Sequence, residues 1–119
     1  KNTILVIGDM LELGKYKKKL HKEVGEYAKA NGINIVLGFG ELTKETIKAF
    51  GKKGIFFDKE ESLKDYLKIN ITSKDVILIK GSRGMKMERF INVWIFVPTI
   101  PQLWFEAAVF EGAPSREAA

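Results

Sequence analysis

Cysteine is absent from the 119 residues, which removes disulfides, thiolate metal sites and a cysteine nucleophile together. A chain of this kind suits a reducing compartment, and the cytoplasm is its expected location. Histidine occurs once, at His21, too few for a histidine-based metal centre. Arginine is scarce as well, with 3 Arg against 17 Lys. The net charge of +5 therefore rests on ammonium groups and not on the planar guanidinium that reads phosphates and bases bidentately, so nucleic acid is not an expected partner. No apolar run reaches the roughly 20 residues of a membrane span. The opening KNTILVIGDM passes from a short apolar run into acids instead of a small-residue cleavage site, which excludes a signal peptide. The GxxxxGK[ST] loop that wraps a triphosphate appears nowhere.

What remains is enough for one compact domain, since 45% of residues are hydrophobic and 29% charged. Composition changes sharply near residue 92. Lys86 is the last lysine, and all three prolines and both tryptophans follow Asn92. The tail carries −2 (Arg116 against Glu106, Glu111 and Glu117), which leaves +7 on residues 1–92. The expected division is a folded domain over 1–92 and an atypical aromatic, proline-rich tail over 93–119. One apolar segment of that tail, Val93–Val97 or Trp104–Phe110, is expected to add to the open edge of the sheet.

Four short apolar runs, Thr3–Ile7, Ile33–Leu37, Ile55–Phe57 and Val76–Ile79, read as strands buried on both faces of a parallel sheet. Helical periods lie between them. Leu20, Val24, Tyr27 and Ala28 mark a first helix stopped by Asn31-Gly32; Leu42, Ile47 and Phe50 a second that ends at Gly51; Leu63, Tyr66 and Leu67 a third. Asp58 and Glu61 have the spacing of a capping box for the third. A fourth helix is expected from Ser82, carrying Met85, Phe90 and Ile91. Alternation of this kind predicts an α/β fold, a Rossmann-like open, mainly parallel sheet with flanking helices.

In such sheets ligands gather beyond the carboxyl ends of the strands. Lys80-Gly81-Ser82-Arg83-Gly84 reads as an anion site, with glycines for close backbone approach, two cations, and Ser82 as helix cap with its amides turned to the ligand; a tight strand-to-helix turn is the plainer alternative. Asp9 and Glu12 after the first strand can bind Mg²⁺ through water or steer an ammonium group, or Asp9 can simply cap local backbone. His21, beside the apolar stripe, reads as a hydrogen-bonded surface histidine rather than a catalytic one. The lysines at 15, 17, 18, 19 and 22 read as a solvated helix face. Asp9, Asp58 and Lys80 also imitate the acid, phosphoacceptor and lysine layout of receiver domains. The two alternatives to an enzyme are thus a stand-alone anion- or small-molecule-binding module and a receiver-like signalling domain.

GDMLELG at 8–14 with His21, Val24 and Gly25, VLGFGE at 36–41, and VILIKGSRGMKME at 76–88 together resemble the C-terminal domain of the Mur ligases, of the type that adds D-alanyl-D-alanine to UDP-N-acetylmuramoyl tripeptide. The resemblance runs through residues 1–91 and implies a three-domain ATP-dependent amide ligase of peptidoglycan-precursor synthesis. In that reaction Mg·ATP phosphorylates a carboxylate and an amine attacks the acyl phosphate. The resemblance implies ATP and Mg²⁺ as cofactors of the full-length enzyme, with missing N-terminal and central ATPase domains as partners. This fragment alone is expected to bind no cofactor and to be inactive. By the same resemblance Lys80, Gly81, Ser82 and Arg83 lie near the incoming dipeptide, with Asp9, Met10 and Glu12 along the neighbouring edge. Met87 and Glu88 match the motif as helix packing and helix surface. The family's domain begins with a further strand and helix that this sequence does not show.

Overall fold

The computed structural model describes residues 2–11, 13–72, 74–82, 85–87 and 89–90, and the backbone of 107–111. Its elements are β1 (Thr3–Gly8), a 3-10 turn (Gly14–Tyr16), α1 (Lys17–Ala30), β2 (Ile35–Phe39), α2 (Thr43–Phe50), β3 (Gly54–Phe57), α3 (Glu60–Asn70), β4 (Val76–Lys80) and β5 (Ala107–Glu111). The sheet order is β3-β2-β1-β4-β5, parallel except for β5, which runs antiparallel to β4. The expected α/β architecture is met, and so is the addition of a tail segment to the sheet edge, at Ala107–Glu111. Val93–Val97 lies outside the described residues.

β1 and β2 are almost wholly apolar because both of their faces are covered. Ile4, Val6, Leu37, Ile77 and Ile79 point to one side, where Leu63 and Leu67 of α3 meet Met87 and Phe90. Leu5, Ile7 and Val36 point to the other, against Ala28 of α1 and Phe50 of α2. Full burial of side chains of this size is worth about 1.5–3 kcal/mol each. At the amino end, Asp75 joins the middle strands. Its Oδ1 accepts the Asn2 N–H at 2.9 Å and its Oδ2 the Thr72 N–H at 2.9 Å.

Three local expectations change. β2 starts at Ile35 and not Ile33, because Ile33 completes the α1 C-terminus. The Ile33 N–H donates to the Ala28 carbonyl at 3.1 Å and that of Gly32, at φ +78°, to the Lys29 carbonyl at 3.4 Å, a Schellman pair. The buried stripe of α1 is His21, Gly25 and Ala28, whereas Tyr27 is 73% exposed. A Cβ on Gly25 would run into the Thr46 carbonyl of α2, so glycine and a polar ring, both silent in a hydrophobicity pattern, make the contact. No Asp58–Glu61 capping box forms. α3 begins one residue later, after Lys59, which has no side-chain cap; Glu60 and Glu61 in its first turn suit the helix dipole instead. Of the fourth helix expected from Ser82, the described residues form 3-10 turns, with Met85 N–H to Ser82 carbonyl at 2.9 Å and Arg89 N–H to Lys86 carbonyl at 3.1 Å, while Arg83, Gly84, Glu88 and Ile91 lie outside the described residues.

An apolar groove of about 570 Å³ runs beside α1, floored by Leu5 and Leu78 and walled by Leu20, Val24 and Tyr27. Among the described residues no helix is long and apolar enough to cross a membrane.

Candidate functional site

Strand order reverses between β1, whose chain moves off through α1 to β2, and β4, which lies on β1's other side. A crevice therefore opens beyond their carboxyl ends. Ile7 pairs with Lys80, so the Gly8–Gly14 loop and the Lys80–Ser82 segment leave the sheet side by side. The structure brings together Asp9, Met10, Lys80, Gly81 and Ser82. Glu12 and Arg83 lie outside the described residues.

Gly8 and Gly81 are both buried, and the room they make is taken by Met87. A Cβ on Gly8 would stand 2.5 Å from the Met87 Sδ, and one on Gly81 2.7 Å from its Cγ. Close approach at Gly81 thus serves packing within the chain. Ser82 turns its hydroxyl and N–H to the loop after β1. Its Oγ accepts the Leu11 N–H at 2.6 Å and its own N–H donates to the Asp9 carbonyl at 3.2 Å. The Ser82 amide is therefore turned into the fold, while the hydroxyl proton has no acceptor among the described residues. Lys80 is half-buried, lines the groove beside α1 and has no ion pair among the described residues.

Asp9 is 9% exposed, and its Oδ1 accepts the Thr43 N–H, at the start of α2, at 3.1 Å. Gly40, at φ +122°, leaves room for this carboxylate: a Cβ there would lie 2.5 Å from it. Burial pushes the Asp9 carboxyl above its ordinary range, and the amides of Thr43 and Leu42 pull back against that rise. The anion at the N-terminus of α2 is thus supplied by the chain itself. It caps a helix 34 residues away and not local backbone, and it is committed. Among the described residues no three His, Asp or Glu side chains gather to hold a metal. Asp9 is engaged at α2, and Glu12, its partner in the Mg²⁺ reading, lies outside the described residues.

His21 is fully buried, which corrects the surface reading. Its Nε2 accepts the Met10 N–H at 3.0 Å and its Nδ1 meets the Lys17 carbonyl at 2.6 Å. The Nδ1–H tautomer satisfies both. Across the crevice Arg89 joins the Glu60 Oε1 at 2.6 Å, and its guanidinium stacks on Phe39 and Phe90. This pins the chain after β4 to the carboxyl end of β2. Sequence reading did not single out Arg89, Thr43 or Asp75, whose partners are far apart in the chain.

A family model described as "Mur ligase, glutamate ligase domain" matches residues 1–83. The chain belongs to the Mur ligase family. Over 91 residues this Mur ligase domain is 42% identical to the UDP-N-acetylmuramoyl-tripeptide:D-alanyl-D-alanine ligase of Escherichia coli, covering 75% of this chain and 20% of that protein. It is 35% identical over 100 residues to the ligase of the same name from Bacillus subtilis, covering 80% of this chain and 22% of that protein. The crystal structure of the MurF ligase of Thermotoga maritima in complex with ADP superposes with a TM-score of 0.65 at 27% identity, over 77% of this chain and 21% of that one. The chain thus spans about a fifth of the length of the curated relatives it matches.

Topology removes the receiver layout. Flavodoxin-like receivers place their third strand beside the first, whereas β2 here lies between β1 and β3. Asp58, exposed after β3, stands two strand spacings from Asp9, roughly 10 Å of sheet.

Proposed function

We propose that the full-length protein is an ATP-dependent ligase that joins D-alanyl-D-alanine to UDP-N-acetylmuramoyl tripeptide in the cytoplasm, and that this chain is part of its C-terminal domain. The observation that carries the reading is the 42% identity, over 91 residues, to a ligase named for those substrates. Residues 1–92 form the domain and 93–119 an atypical tail. ATP and Mg²⁺ are held by domains outside this chain, since it carries no phosphate loop and Asp9 is taken up in capping α2.

The contribution of this domain is to orient the incoming dipeptide and to keep water from an acyl phosphate. Lys80 and Arg83 supply positive charge toward the dipeptide carboxylate and the Ser82 hydroxyl a donor, with Gly81 setting their backbone. Met10 and Glu12 form the neighbouring edge, and Asp9 holds that edge in place. The nearness of the Lys80–Ser82 segment to the loop after β1 supports this assignment.

The test is an assay of the full-length protein with ATP, the UDP-linked tripeptide and D-alanyl-D-alanine, following the amide product and ADP. Arg83→Ala is expected to raise the KM for the dipeptide about tenfold or more, as loss of a charge-assisted contact does, while leaving the KM for ATP near its parent value. Equal effects on both substrates would overturn the substrate-side role, and absence of the amide product from the parent would overturn the ligase reading.

A further inference from the structure

Three successive residues of the loop after β1 are tied to three different parts of the fold. The Asp9 carboxylate is held by Thr43 of α2, the Met10 N–H by His21 of α1, and the Leu11 N–H by Ser82 beyond β4. Two of these ties belong to residues already assigned to the site. The third belongs to a fully buried imidazole that no step of the proposed reaction uses.

We propose that His21 is a positioning residue, which fixes the backbone of the loop and so sets how Met10 and Leu11 are presented at the carboxyl edge of the sheet. For what it says of catalysis, this rests on the ligase reading. The ring cannot turn without losing a bond, because Nδ1 is engaged by the Lys17 carbonyl of its own helix at 2.6 Å while Nε2 receives Met10 at 3.0 Å. The His21 backbone is held too, since its carbonyl accepts the Thr46 Oγ1 hydrogen of α2 at 2.7 Å. The contact between α1 and α2, closed at Gly25, thus continues through the imidazole into the loop. Met10 is half-buried and Leu11 is 42% exposed, so what His21 fixes from inside is displayed on the outside. An apolar side chain of similar size would keep the packing and leave the Met10 N–H without an acceptor, and a buried unpaired donor moves toward water if it can.

The test compares His21→Leu with His21→Gln in the full-length protein. Gln carries an oxygen near the position of Nε2 and keeps the acceptor. Hydrogen exchange at the Met10 amide is expected to speed about tenfold or more in His21→Leu and to stay near the parent rate in His21→Gln. In the ligase assay, the dipeptide KM is expected to rise about tenfold in His21→Leu, with the ATP KM unchanged and His21→Gln within about threefold of the parent. A merely structural histidine would lower kcat in proportion to the folded fraction, alike for Leu and Gln and with KM unmoved, and that result would overturn the proposal. Unchanged Met10 exchange in His21→Leu would overturn it as well. If the parent forms no amide, the ligase reading falls, and the anchoring of the loop stands or falls on the amide exchange alone.

Discussion

Single carboxylates in this fold carry opposite signs of pH dependence. Burial raises Asp75, but the hydrogen bonds it accepts from Thr72 and Asn2 outweigh burial and hold it below its ordinary range. Glu60 is likewise lowered, first by its bond to Lys64 and then, against some desolvation, by Arg89. A lowered carboxyl contributes stability above the unfolded value that is lost as pH falls toward the folded one. Asp9, raised by burial, works the other way, and its contribution improves as the medium becomes acid. Asp75→Asn is therefore expected to flatten the acid limb of a Tm–pH curve below about pH 4, and Asp9→Asn to steepen it above about pH 4. Thermal melts on both sides of that pH decide the matter, and the same slope in both variants would refute the assignment.

Among the elements, the pairing of α1 with α2 depends on Gly25. Gly25→Ala forces a methyl into the Thr46 carbonyl, which is backbone and cannot swing away. The expected cost is about 2–3 kcal/mol, as for overpacking at a rigid contact. By contrast Gly8→Ala meets the end of a flexible Met87 side chain and should cost less; urea titration of both variants checks the order. The contrast shows what could be read from the chain alone. β1, β4 and the chain turns at their carboxyl ends were legible because continuous aliphatic runs and glycine-bounded turns are local signals. In the stripe of α1, Ala28 and the core contact of Val24 were legible, but Tyr27 is exposed and His21 and Gly25 bury themselves for reasons that hydrophobicity does not record. The Asp58 cap was misread because a capping box is only a spacing until the helix start is known. Asp9 as the cap of α2, and Ser82 as the acceptor of the Leu11 N–H, are contacts across 34 and 71 residues, beyond any local pattern.

At the scale of the molecule, β5 covers the outer edge of β4, register Val76 with Glu111 through Lys80 with Ala107. A chain ending at residue 92 would leave the apolar Val76–Lys80 strand as an open template, and edges of that kind pair with one another. Such a truncation is expected to self-associate at concentrations where the 119-residue chain does not, as light scattering or sedimentation would show. Equal behaviour of the two chains would mean that β5 is dispensable to the edge.

The three ties of the loop after β1 also have a meaning in time. They close over separations of 34, 11 and 71 residues, so the loop cannot take its final shape until α1, α2 and the strand pair β1–β4 are all in place. Contacts that require so much prior order form late on the folding path. Weakening them speeds escape from the native state more than it slows arrival. The loop that shapes the carboxyl edge is therefore the fold's clasp, setting how long the native state lasts more than how fast it is reached.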